Sequence, residues 1–199
     1  MKNLFLLSTL ICFASALGQT KIPTVESQIK TALYACPEMY QEGAKVLGYN
    51  QEGQLITIRE GNNGMVCLAD DPNKERISVS CYSDKLEAYM ARGREFIAEG
   101  KTEAEKRELR KKEIDSEALL MPKEPAAVYV VTAKQEDHDF ESGELKNSRI
   151  RYVLYRPYMT AEETGLPTQP GLPGMPWLMD ANTHRSHIMI TPAAENKNN

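Results

Sequence analysis

Residues 126–133 read AAVYVVTA, a run that is apolar on both faces. A half-buried strand alternates apolar with polar, so a run apolar on both faces reads as a central strand. The other strands have to be placed around it. SRIRYVLYRPY (148–158) is a second strand, and SHIMITP (186–192) is a last short one. KQEDHDFESGELKN, between the first two, reads as an acidic hairpin loop.

Upstream, AKVLGYNQEGQLITIREGNNGMVCLAD alternates short apolar runs with turn residues. Strands are expected near 44–49, 54–60 and 64–69, with NQEG and GNNG as the turns of an antiparallel meander. Asn62-Asn63-Gly64 supplies residues that tolerate positive φ, as hairpin turns demand. These residues favour a turn over a ligand cradle. No Gly-Lys-Ser/Thr follows, and the stretch does not open a helix as a dinucleotide fingerprint must.

Three helices are expected. In TVESQIKTALYACPEM, Thr24 is the cap, Val25, Ile29, Ala32 and Leu33 share a face, and Pro37 stops the run. In SDKLEAYMARGREFIAEG, Ser83 is the cap and Gly100 the stop. Leu86, Tyr89, Met90, Phe96 and Ile97 form its apolar stripe. Thr102 and Glu105 make a capping box for TEAEKRELRKKEIDSEALL. That helix has only Leu109, Ile114 and Leu119 to bury, and its interleaved charges read as a solvated outer face. Strands, then helices, then strands give an α+β class: a mostly antiparallel sheet with two central helices, one amphipathic and one charged, in a single domain over 19–192. The tail, 193–199, is expected to fray.

The chain opens MKNLFLLSTLICFASALGQT. Lys2, the apolar run Leu4–Phe13 and small residues up to Gly18 have the order of a secretory signal peptide over 1–18. The run is too short for a membrane span, which takes about 20 residues. The expected product is periplasmic or secreted and begins at Gln19, or at Leu17 if the upstream small-residue site is cut. Losing Lys2 moves the formal net charge from −4 to −5. A mildly acidic chain with no basic cluster excludes nucleic acid as the expected partner. No later apolar run is long enough to cross a bilayer. Cys36, Cys67 and Cys81 remain after processing. An oxidising compartment closes one pair and leaves one thiol over. Cys67–Cys81 is favoured because both sit in one turn-rich region, but sequence alone leaves the pairing open.

Residues 165–176 read GLPTQPGLPGMP, with Pro167, Pro170, Pro173 and Pro176 at every third position. That period matches polyproline II. The favoured reading is a stiff strap that packs Leu172 and Met175 on the core, with Trp177 as its anchor. The rival is a ligand strand for an aromatic-lined groove on a partner.

Few residues point to chemistry. His138, His184 and His187 are the only histidines. HRSH and the DHD at 137–139 would make a zinc or calcium site only if the fold joined them. No Gly-x-Ser-x-Gly elbow is present, and no cofactor is implied. Arg59 and Glu60 are expected to pair with each other. In the last strand, alternation puts His187 and Met189 on one face and Ile188 and Ile190 on the other, which is expected to be the core face.

REGNNGMVCLADDP, a second cysteine in VSCY, the lone Trp177 and SHIMITP together resemble a group of uncharacterised exported bacterial proteins. Their pattern is R-E-G-x-N-G-W-x-C, a second cysteine, and a late H-x-M-I strand. Met65 stands where that pattern has tryptophan. The resemblance implies no activity, and it favours Cys67 with Cys81 over any pairing with Cys36. The expected role is a non-catalytic binding or envelope-associated domain, with His187, Trp177 and Arg59 as binding candidates. The alternative is a metal-assisted hydrolase using His187 and the Asp137–Asp139 loop.

Overall fold

The structure, a computed structural model, describes residues 21–193. The expected signal peptide and nearly all of the tail lie outside those residues. Eight strands make one sheet: β1 (Lys45–Tyr49), β2 (Leu55–Arg59), β3 (Met65–Leu68), β4 (Arg76–Ser83), β5 (Ala126–Lys134), β6 (Arg149–Tyr155), β7 (Trp177–Met179) and β8 (His187–Ile190). Their order is β2-β1-β3-β4-β5-β6-β8-β7, and every pairing but β1 with β3 is antiparallel. β5 is central, as its two apolar faces require. β4 and β7 have no counterpart among the expected strands. In β4 the alternate positions Ser78 and Ser80 read as turn residues, although Ile77, Val79 and Cys81 between and beside them are fully buried.

The expected meander is corrected. β1 and β2 form the hairpin, but β3 lies on the far side of β1 and runs parallel to it. Residues 60–64 therefore reverse the chain without closing a hairpin between β2 and β3. They cross the N-terminal end of β1. The Asn62 N–H donates to the Gly43 carbonyl at 2.9 Å. A Cβ on Gly61 would stand 2.1 Å from the Lys45 nitrogen, so only glycine lets the two backbones pass. Asn62 and Asn63 keep negative φ, and only Gly64 (φ +76) uses the left-handed region. The Asn63 side chain clamps the crossing, donating to the Tyr40 carbonyl (2.6 Å) and accepting from the Met65 N–H (3.1 Å).

Four helices flank the sheet: α1 (Val25–Leu33), α2 (Glu87–Ala98), α3 (Glu103–Asp115) and α4 (Ala161–Thr164). α1 covers one face, where Ala32 and Cys36 join Val46, Cys67, Ile77, Val79 and Val131. On the other face, Leu86 and Met90 pack on Val66, Tyr82, Val128 and Val153. Thr24 and the Thr102–Glu105 box cap their helices as expected. α4 carries a second box, Thr160–Glu163.

Four burial expectations change. In α1 the most buried residues include Ser27, Gln28 and Thr31, because they hydrogen-bond to neighbouring backbone, while Val25 is exposed. Leu86, just before α2, and Tyr89 and Phe96 on it are buried, but Ile97 is exposed. The buried residue of α3 is Arg110, with Leu109 and Ile114 only half-buried. The proline segment is not packed by its apolar side chains: Leu172 is 72% and Met175 47% exposed. Its anchors are backbone bonds, Gly174 N–H to the Thr191 carbonyl (2.7 Å) and Leu178 N–H to the Pro167 carbonyl (2.8 Å), with Leu178 fully buried.

Candidate functional site

α1, the end of β3 and the β5–β6 connection enclose a cleft of about 310 Å³. Gln28 and Thr31 come from α1, Asp70 follows β3, and His138 and Phe140 come from the connection. The expected acidic loop is thus a built wall. His138 pairs with Leu145 in an isolated bridge, and both are buried. The Ser27 hydroxyl donates to the Phe140 carbonyl (2.8 Å), tying helix to loop. Gln28 is held at both ends, accepting from the Tyr49 N–H (2.7 Å) and donating to the Tyr49 and Pro23 carbonyls.

The hydrogen bonds assign the His138 tautomer. The Thr31 hydroxyl has one proton, which it donates to the Ser27 (2.8 Å) and Gly143 (3.1 Å) carbonyls. It therefore accepts from His138 Nε2 at 3.0 Å, which leaves Nδ1 unprotonated. Nδ1 is buried and has no protein partner. Burial lowers the His138 pKa and keeps the ring neutral, against the pull of Asp139. Asp70 is the other perturbed group. Burial pushes its carboxyl up to about 6, although the Ser78 N–H donates to it at 2.7 Å. Pro23, Pro72 and Phe140 give the rest of the wall an apolar body, with Lys21 and Gln135 completing the lining. An apolar cleft holding one half-buried carboxyl can take a small molecule by its apolar body and fix it by one positive or donor group. In the sequence Asp70 reads as an ordinary turn acid in ADDP, which is why it was not among the candidates.

The expected candidates lie elsewhere. His187 is 4% exposed, and its ring stacks on Tyr155 at 4.8 Å. Its Nδ1 is 2.7 Å from the Arg185 carbonyl. His187 and Met189 face the core beside Tyr155 and Val153, while Ile188 and Ile190 face the other side. That reverses the expected face: Tyr155 and Val153 of the neighbouring strand, rather than the isoleucines, set the layer that His187 joins. His187 belongs to a polar nest under α2 and α3. There the Arg110 guanidinium lies 3.8 Å over the Tyr89 ring, and His184 packs edge-on to Tyr89. Arg185 and Asp180 approach to 3.0 Å as an ion pair whose angles fall outside a hydrogen bond. Tyr89, Arg110, His184 and His187 are each buried, so the nest has a site's inventory but is closed.

Trp177 starts the edge strand β7 opposite Met189. Arg59 does not pair with Glu60; it donates to the Ala44 (3.0 Å) and Gln41 (2.7 Å) carbonyls, and Glu60 faces Lys45. Asp137 accepts from Asn147, and Asp139 from the Glu141 and Ser142 N–H groups, so both carboxylates shape their loop. Among the described residues, the histidines and these aspartates do not converge as a three-ligand set. The one such group is Cys36, Cys67 and Cys81. Cys67 and Cys81 form the favoured disulfide, and Cys36 is a buried free thiol. No family model, curated protein or solved structure matches the chain.

Proposed function

We propose that the chain is an exported, non-catalytic binding domain whose Asp70 cleft takes a small, mainly apolar ligand ending in a cationic amine. The observation that carries this reading is a half-buried carboxyl, raised to about 6, beside the apolar surface of Pro23, Pro72 and Phe140 in a cleft of about 310 Å³. Above pH 6 the exposed Lys74, itself beside Asp71, offsets that carboxylate only in part, and an ammonium group in the cleft adds to the compensation. The walls are pre-formed by hydrogen bonds between α1 and the loop, so little ordering has to accompany binding. Export is supported by the order of charges and apolar residues before Gln19 and by the Cys67–Cys81 disulfide. Among the described residues no helix is long and apolar enough to cross a membrane.

An amide NMR titration tests the cleft, with benzylamine, benzyl alcohol and benzoate as probes. Benzylamine should shift the signals of Thr31, Asp70 and Phe140, more strongly at pH 7.5 than at pH 5, and Asp70→Asn should weaken it about tenfold. Equal shifts from benzoate, or none from benzylamine, would overturn the reading. With protein taken from its own producing cells, the intact mass of the same sample should correspond to a start at Gln19.

A further inference from the structure

The core beneath α1 holds a thiol and a disulfide side by side. The Sγ atoms of Cys36, Cys67 and Cys81 all lie within 4.8 Å of one another, within the buried cluster that also holds Ala32, Val46, Met65 and Val79. The three come from separate elements. Cys36 follows α1, Cys67 sits on β3, and Cys81 is directly opposite it on β4. A structural bridge needs no third cysteine, and nothing in the cleft chemistry uses Cys36. We propose that these residues form a thiol–disulfide exchange centre, in which Cys36 attacks Cys67 and displaces Cys81.

The reaction balances within the chain. The Cys36 thiol loses its proton, and its sulfur bonds to Cys67 Sγ. The Cys67–Cys81 bond breaks, and Cys81 leaves as a thiolate that takes up one proton. No external oxidant or reductant is consumed. The choice of Cys81 as leaving group rests on its neighbour. Cys81 Sγ is 3.5 Å from the Ala32 carbonyl oxygen. As a disulfide sulfur it has nothing to donate there; as a released thiol it has an acceptor waiting. Arg59 supplies the opposite charge at the attacking end. Burial pushes the Cys36 thiol up, and the Arg59 charge pulls it partly back, favouring the thiolate that must attack. Exchange moves the covalent tie. The present bridge spans 14 positions and joins two neighbouring strands. The product bridge spans 31 (67 − 36) and fastens the end of α1, one wall of the cleft, to the sheet.

Trapping tests this in the native wild-type protein. Samples are held near the ordinary thiol pKa of about 8.5, labelled with a thiol alkylator, quenched in acid and mapped without reduction. Both the Cys67–Cys81 and Cys36–Cys67 linkages should appear, with label on Cys81 as well as Cys36. The rate of Cys81 labelling should rise about tenfold per pH unit below that pKa. Cys36→Ser should abolish Cys81 labelling, and Arg59→Gln should slow it severalfold. In Cys81→Ala, Cys36 and Cys67 should close into a disulfide, read as the loss of two hydrogens in intact mass. Label confined to Cys36 in the wild type after prolonged incubation would overturn the proposal, whether or not the variants fold. So would two free thiols in a folded Cys81→Ala.

Discussion

His187 carries two interactions that substitutions can separate. Its ring stacks on Tyr155, and its Nδ1 meets the Arg185 carbonyl. With the ring buried, that nitrogen keeps its proton and donates. His187→Ala removes both and leaves a cavity between β6 and β8, at a cost of about 2–3 kcal/mol. Thermal melting should drop by roughly 5–10 °C. His187→Gln keeps an amide donor but loses the ring, so its loss should be about half. If both variants melt like the parent, the stacking and the hydrogen bond carry no stability. The residue type and place were legible in SHIMITP, but its direction was not. Alternation separates a strand's two faces without saying which one is inside. Here Tyr155 and Val153 on the paired strand decide it.

At the scale of elements, the segment 60–64 shows what pattern alone leaves open. The strands at 45–49, 55–59 and 65–68 fall where alternation and turn residues place them. Their order does not, because a short Gly-Asn-Asn-Gly link serves a hairpin and a crossing equally well in sequence. Gly61 tells them apart. Gly61→Ala should cost roughly 3 kcal/mol, since its Cβ would meet the Lys45 backbone and not a movable side chain. Gly53→Ala is the control. Gly53 has φ +75 and open space around it, so only the left-handed backbone strain is added, about 1 kcal/mol. Urea midpoints measure both. Equal losses would mean that the crossing relaxes without penalty. The cleft was illegible for a related reason: its carboxyl and its imidazole are 68 positions apart (138 − 70), on opposite sides of two helices and two strands in the chain.

For the whole molecule, pH sets two opposed groups against each other. His138, His184 and His187 all have pKa values lowered by burial, and for His184 the charges of Arg185, Arg110 and Lys111 add to that, with only Asp115 opposing. The unfolded chain takes up protons on these histidines below about 6.5, before the folded chain does. Stability from them is intact above that pH and falls as pH drops through it. Asp70 acts the other way. Its folded pKa of about 6 lies above the ordinary 3.8, so the folded chain binds this proton first. Its ionised form is a cost above pH 6, relieved as pH falls from about 6 toward 4. Three groups against one should leave the wild type less stable at pH 5 than at pH 7. Asp70→Asn isolates the opposing member. The amide keeps an oxygen to accept from the Ser78 N–H but never ionises. The variant should melt above the wild type at pH 7.5, and that gap should narrow as pH falls and close near pH 4. A gap that stays constant with pH would mean that Asp70 ionises in the fold as freely as in water, and it would remove the carboxylate on which ligand binding is built.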